Sequence, residues 1–245
     1  WNSLKNETIF IEYLTTIQKV LDIKGIPIFL QCVNKFYDDL SSSEISSFPI
    51  ETVTLICNIA NLYIQHDEQN EWKFEAFYKI FDMVNAFQDF GEQDWSSQNS
   101  EEVIEISNLF KNFFLLSAHA CNFLDVKKNI DILNYLEGSY PILCQLNSSE
   151  PLYNSLNYLY SLASFLSNES DESFSELIGI LVEKFILMTF SIFKIEDFSM
   201  SMKWKETIDI IFKFHQLLIN ICHDETEGKL CFCFAQFPQS ENLEQ

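Results

Sequence analysis

Apolar side chains recur along almost the whole chain at spacings of three and four, and this period restricts the possible folds more than any single motif does. In Glu51 to Gln65, Val53, Ile56, Ala60 and Tyr63 form one stripe that Leu55, Ile59 and Leu62 widen, so the helix is expected to be buried over more than half its circumference. Ile208 to Cys222 repeats the pattern, with Ile208, Ile211, Leu218 and Cys222 on one side and Ile210, Phe214, Leu217 and Ile221 beside them. Helices of this kind sit between layers. Pro27, Pro49 and Pro151 each stand where an apolar run begins, as suits a residue tolerated in a first turn, and Ser173 with Glu176 and Asn99 with Glu102 have capping-box spacing. These signals predict helices at roughly 5–22, 27–40, 50–65, 73–88, 101–124, 128–146, 151–167, 173–194, 203–223 and 229–236, the sixth broken near Gly138 and Pro141. No segment reads as a strand. Five Gly and five Pro are too few for a many-stranded sandwich or barrel, and the Gly too few for a nucleotide-binding loop.

The helices most apolar all round centre near Ile59, Phe113, Leu162 and Ile219, which are 54, 49 and 57 positions apart. This spacing is a little longer than the ~40–47-residue period of armadillo and HEAT repeats, in which each unit's last helix is buried between its neighbours. The connecting segments, such as HDEQNE, DFGEQDWSSQNS and NESDES, are short and polar, and none reads as a domain linker. The expectation is therefore an all-α protein, an armadillo/HEAT-like α-solenoid of about ten helices forming one domain over residues 1–245. A core of Ile59, Leu62, Phe113, Leu162, Ile211, Leu218 and Ile221 follows from the stripes.

Charge narrows the function. The chain has 15 Lys and no Arg against 36 Asp plus Glu, a formal charge of −21. Polyphosphate surfaces are repelled, so direct nucleic-acid binding is not expected. Without Arg the chain lacks the bidentate fork for guanine or phosphate and any arginine finger in cis. The seven Cys are odd in number, and the first five lie in apolar helical runs, which suits reduced, buried thiols in a cytoplasmic or nuclear protein. Sequons at Asn6, Asn147 and Asn168 arise readily in a chain rich in Asn, Ser and Thr. The start at Trp1, without a basic-then-apolar leader, reads as a segment of something longer. The most lipid-like stretch, Leu177 to Phe193, carries Glu183 and Lys184 at its middle, so it reads as a buried helix and no membrane contact is expected.

No catalytic constellation closes. His66-Asp67 and His223-Asp224 suggest metal phosphohydrolase chemistry, but the first lacks an earlier His and the second a later Asp. Cys222, His223, Cys231 and Cys233 are dense enough for zinc, yet Cys-x-Cys is a poor clamp and the alternation around it reads as packing. His215, within an apolar stripe, reads as a hydrogen-bonded core histidine. No metal, cofactor or enzymatic activity is expected, with a helical metal-dependent enzyme as the rival class.

The most informative surface combines acids with aromatics. Asp67, Glu68, Glu71 and Glu75 surround Trp72, and Asp89, Glu92, Asp94, Glu101 and Glu102 surround Trp95. Carboxylates steer a cationic partner, and an exposed indole takes a Lys or Arg by cation–π contact. The site expected to bind a protein partner through a basic segment is therefore Asp67, Glu68, Glu71, Trp72, Glu75, Asp89, Glu92, Asp94 and Trp95, on neighbouring edges of the solenoid. The competing reading has both Trp pinning their loops to the core while the acids only solvate.

The run LLINICHDETEGK, Leu217 to Lys229, resembles the L-x-N-L helix end of armadillo-type repeats, in which an Asn inside the buried helix ties down a neighbouring turn. Its NICHDETEG portion is similar to a helix-to-loop junction in the C-terminal domain of wings-apart-like cohesin-release proteins, and ataxin-10-type armadillo proteins are a second likeness. The first resemblance covers about a dozen residues and implies a helical-repeat domain that binds cohesin subunits and promotes release of the ring from DNA, with no chemistry of its own.

Overall fold

The computed structural model describes residues 26–42, 50–66, 71–86, 101–146, 149–167, 175–192 and 204–224. These residues are 95% helical and contain no strand, so the chain is all-α over its described part. The helices are α1 (Ile26–Ser42), α2 (Ile50–His66), α3 (Glu71–Asn85), α4 (Glu101–Ala120), α5 (Val126–Gln145), α6 (Ser149–Leu166), α7 (Ser175–Ile192) and α8 (Trp204–Asp224). Each matches a helix expected from the periodicity, within a few residues at each end. The expected helices at 5–22 and 229–236 lie outside the described residues.

Packing alternates. Helices α2, α4, α6 and α8 form one row in which each packs on the next, and the α2–α4 and α4–α6 approaches are the most extensive in the molecule. The other helices lie on a second level, α1 against α3 and α5 against α7, with α3 touching α2 and both α5 and α7 touching α6. Short buried side chains suit the close approaches in the first row: Ala60 on α2, Ser117, Ala118 and Ala120 on α4, Ser155 and Ala163 on α6. Between the levels lies an aromatic cluster. The Tyr135 ring on α5 meets Phe81, Phe110, Phe113 and Phe114 at centroid distances of 5.5–6.4 Å, and Phe77 stacks on Phe113. The Tyr135 hydroxyl donates to the Val84 carbonyl at 3.3 Å, so the largest polar side chain of the cluster is satisfied. At the other end of the described helices, Phe185 of α7 and Phe214 of α8 stack nearly parallel and fully buried.

Of the expected core, Ile59, Phe113, Leu162 and Ile211 are buried, while the side chains of Leu218 and Ile221 lie outside the described residues. Leu62 is only half-buried. The buried arc of α2 runs through Val53, Ile56, Cys57, Ala60, Asn61 and Ile64, so Leu62, like Leu55, falls on its far flank. Asn61 turns inward because it meets His119 on α4, with Oδ1 and Nδ1 2.6 Å apart.

Three local expectations are corrected. Helix α5 runs unbroken through Pro141. The proline lies on the exposed side with Glu137 and Gly138, so the carbonyl left without an amide donor belongs to an exposed residue, Glu137. Next, α4 ends at Ala120 rather than at 124, because residues 121–124 form a turn leading to Asp125, the N-cap of α5. The Asp125 carboxylate accepts from the Lys128 amide at 2.7 Å. Finally, His215 is exposed, not core. The buried stripe of α8 is Thr207, Ile210, Ile211 and Phe214, which leaves position 215 on the flank, with Nδ1 2.8 Å from the Ile211 carbonyl oxygen and the ring edge-on to Phe185.

The Asp125 cap gives a first prediction. Bonds from the Lys128 amide and the Tyr78 hydroxyl hold its carboxyl below the usual range. A depressed folded pKa contributes stability that is present above the unfolded value of about 3.9 and lost as pH falls through the lower folded value. Asp125→Ala should cost about 1 kcal/mol at pH 7 by urea unfolding, and the difference from wild type should shrink as pH falls below about 3.9.

Candidate functional site

Helix α3 carries three of the residues expected to bind a partner, Glu71, Trp72 and Glu75. Glu71 and Trp72 occupy its first turn, and their side chains lie outside the described residues. Lys73 follows, buried, with Nζ 3.4 Å from the Ile64 carbonyl oxygen near the end of α2 and 5.8 Å from the centre of the Phe123 ring. Glu75, one turn on, is exposed. Its carboxylate accepts from Lys79 at 2.8 Å, an i,i+4 pair. Lys79 also donates to Asn34 Oδ1 of α1 at 2.6 Å and lies over the Tyr37 ring. Glu75 thus shares its charge with a lysine that joins α3 to α1, and its attraction for a distant cation is weaker than that of a lone carboxylate.

Asp67 and Glu68 fall in segment 67–70, and Asp89, Glu92, Asp94 and Trp95 in segment 87–100, both outside the described residues. Their places along the chain still carry information. The first segment leads into α3 and the second follows its end, and 15 helical residues rise about 22 Å. The candidate residues thus belong to two groups tied to opposite ends of one helix. An extended peptide needs about seven residues to span the distance between those ends.

Between these ends lies a cluster that the sequence reading missed. Phe74, partly exposed, meets Phe123 edge-on at 5.5 Å. The Tyr78 hydroxyl donates to Asp125 Oδ2 at 2.8 Å, and burial together with the carboxylate pushes the phenol up to about 12. Lys128 Nζ sits 4.6 Å from the ring centres of both Tyr78 and Phe81 and 3.4 Å from Asp131. The available signal was Asp125 itself, a capping residue directly before VKKNIDIL.

The described side chains show little that is reactive. Burial pushes the thiols of Cys32 up to about 11 and Cys121 up to about 12, and that of Cys57 higher still, which disfavours the nucleophilic thiolate. Burial also lowers the pKa of His119. Among the described residues no three His, Cys, Asp or Glu side chains converge as metal ligands. The side chains of His66, Cys222 and His223, and the whole of Asp67, Cys231 and Cys233, lie outside them. No described helix is long and apolar enough to cross a membrane. No known protein family, curated protein or solved structure matches the chain.

Proposed function

We propose that the chain is a non-catalytic scaffold, an armadillo/HEAT-like α-solenoid that binds a protein partner through a basic segment of that partner. The observation that carries this reading is the alternating packing, in which α2, α4, α6 and α8 form a row and each packs on the helix two places along the chain. Stacked two-helix units pack in this way, and such stacks present long faces to partners. The charge supports the choice of partner: segments 67–70 and 87–100 hold Asp67, Glu68, Asp89, Glu92 and Asp94 and no lysine. The site comprises those residues with Glu71, Trp72, Glu75 and Trp95. A second reading, a wings-apart-like regulator of cohesin release, is favoured by one observation: α8 runs into the NICHDETEG run, with Asn220 to Asp224 in its last turns.

Surface plasmon resonance against immobilised Lys-rich and Lys-free peptides of equal length tests the first reading. Lys-rich peptides should bind at low salt and weaken steeply toward physiological ionic strength, where the Debye length is about 8 Å. The double reversal Glu68→Lys with Glu71→Lys should slow association by roughly tenfold. Trp72→Ala should chiefly raise the dissociation rate by removing an anchor. Unchanged affinity in a charge-reversed protein that remains helical would overturn this site and direct attention to residues 203–236.

A further inference from the structure

The two levels of helices differ in continuity. In the α2–α4–α6–α8 row every helix packs closely on the next, whereas on the other level α1 pairs with α3 and α5 with α7, and α3 and α5 do not pack closely backbone to backbone. Side chains close the seam between them. At its rim, Tyr78 donates to Asp125 at the head of α5, and Lys128 reaches back over the Tyr78 and Phe81 rings. Beneath the rim, Phe81 meets Tyr135 edge-on at 6.0 Å and Tyr135 donates to Val84. The rim contacts can be exchanged for contacts with water, since a hydroxyl, a carboxylate and an ammonium are all hydrated when separated. Pulling apart two helices in close backbone contact would instead open a dry interface.

We propose that the α3–α5 seam is a hinge. The α1–α3 and α5–α7 pairs move as rigid bodies about the aromatic cluster of Phe81, Phe113 and Tyr135, and the continuous row flexes with them. The pairs are held internally by contacts that the motion leaves intact: Tyr37 to Asp82 and Lys79 to Asn34 between α1 and α3, and Lys184 to Glu137 between α5 and α7. Opening the seam alters the angle at which α3 is presented relative to α5 and the helices after it. The inference does not depend on what the protein binds.

Spin-label distance measurements on the full chain test it. One label is placed at Asn85→Cys on α3, paired either with Asn134→Cys on α5, across the seam, or with Gln31→Cys on α1, within a pair; all three positions are exposed. The buried thiols of Cys32, Cys57 and Cys121 label slowly, and any other native thiol that takes up label is first replaced by Ala. The cross-seam distribution should be wider than the within-pair one. Tyr78→Phe with Lys128→Met, which removes the rim contacts, should shift the cross-seam mean to longer distance and widen it further, leaving the within-pair distribution unchanged. Equal widths with no shift would overturn the hinge. Joint broadening of both pairs would also overturn it, because that is general loosening.

Discussion

Phe113→Ala is expected to lower the free energy of unfolding by about 3–5 kcal/mol. The ring is fully buried on α4 and touches Phe77 and Phe81 of α3, its neighbour Phe114 and Tyr135 of α5. Three helices therefore contribute walls to the cavity that truncation leaves, and none can close on it without drawing the others along. Urea unfolding followed by circular dichroism measures the loss. A value under about 1 kcal/mol would mean that this site collapses freely and that the aromatic cluster is not the centre of the core.

Asn129 should be as costly to lose, for a different reason. It is buried in α5, and its side-chain amide lies 3.2–3.3 Å from the carbonyls of Cys121, Leu124 and Asp125, while its own oxygens accept from the buried hydroxyl of Tyr158 on α6. One side chain thus fixes the turn between α4 and α5 and joins it to α6. Asn129→Ala removes the donor for that turn, and at about 1–3 kcal/mol for each buried group left unsatisfied the expected loss is about 3–5 kcal/mol. Asn129→Asp provides a check by pH. An aspartate there faces carbonyl oxygens and is buried, so its folded pKa lies above the unfolded value of about 3.9. Relative to wild type, the variant should be most stable below that value and lose stability as pH rises through the folded pKa. A pH-independent difference would show that the site is wetter than its geometry implies.

The helices were legible because burial here follows period: in α2 the central stripe of Val53, Ile56, Ala60 and Tyr63 is buried, and the Pro signals at 27 and 151 fall in first turns. What period could not supply was which flank of a wide stripe faces a neighbour. Leu62 and Asn61 are adjacent, and hydropathy favours burying the leucine, but His119, 58 positions away, decides for the asparagine. Pro141 read as a break because its environment, the exposed side of α5, is invisible in the sequence. Nothing in the sequence marks Asn129, since its three acceptors form a turn only after α4 has stopped at Ala120. At the candidate site, the Lys79 partner of Glu75 was present at i+4 and passed over. The separation of the two acidic segments by the length of α3 became clear only with the bounds of that helix.

The alternating rows also bear on how the chain acquires its structure. Close packing joins helices one or two places apart, so the side-chain bonds between helices close loops of similar size, as from Asn61 to His119, Lys111 to Asn154 and Glu137 to Lys184. Loop-closure entropy rises only with the logarithm of loop length, so these steps carry similar entropic penalties, and none of them requires the first and last helices to meet. A chain emerging from the ribosome can complete each contact once the helix after next has left the exit tunnel, extending the folded part in one direction at low contact order.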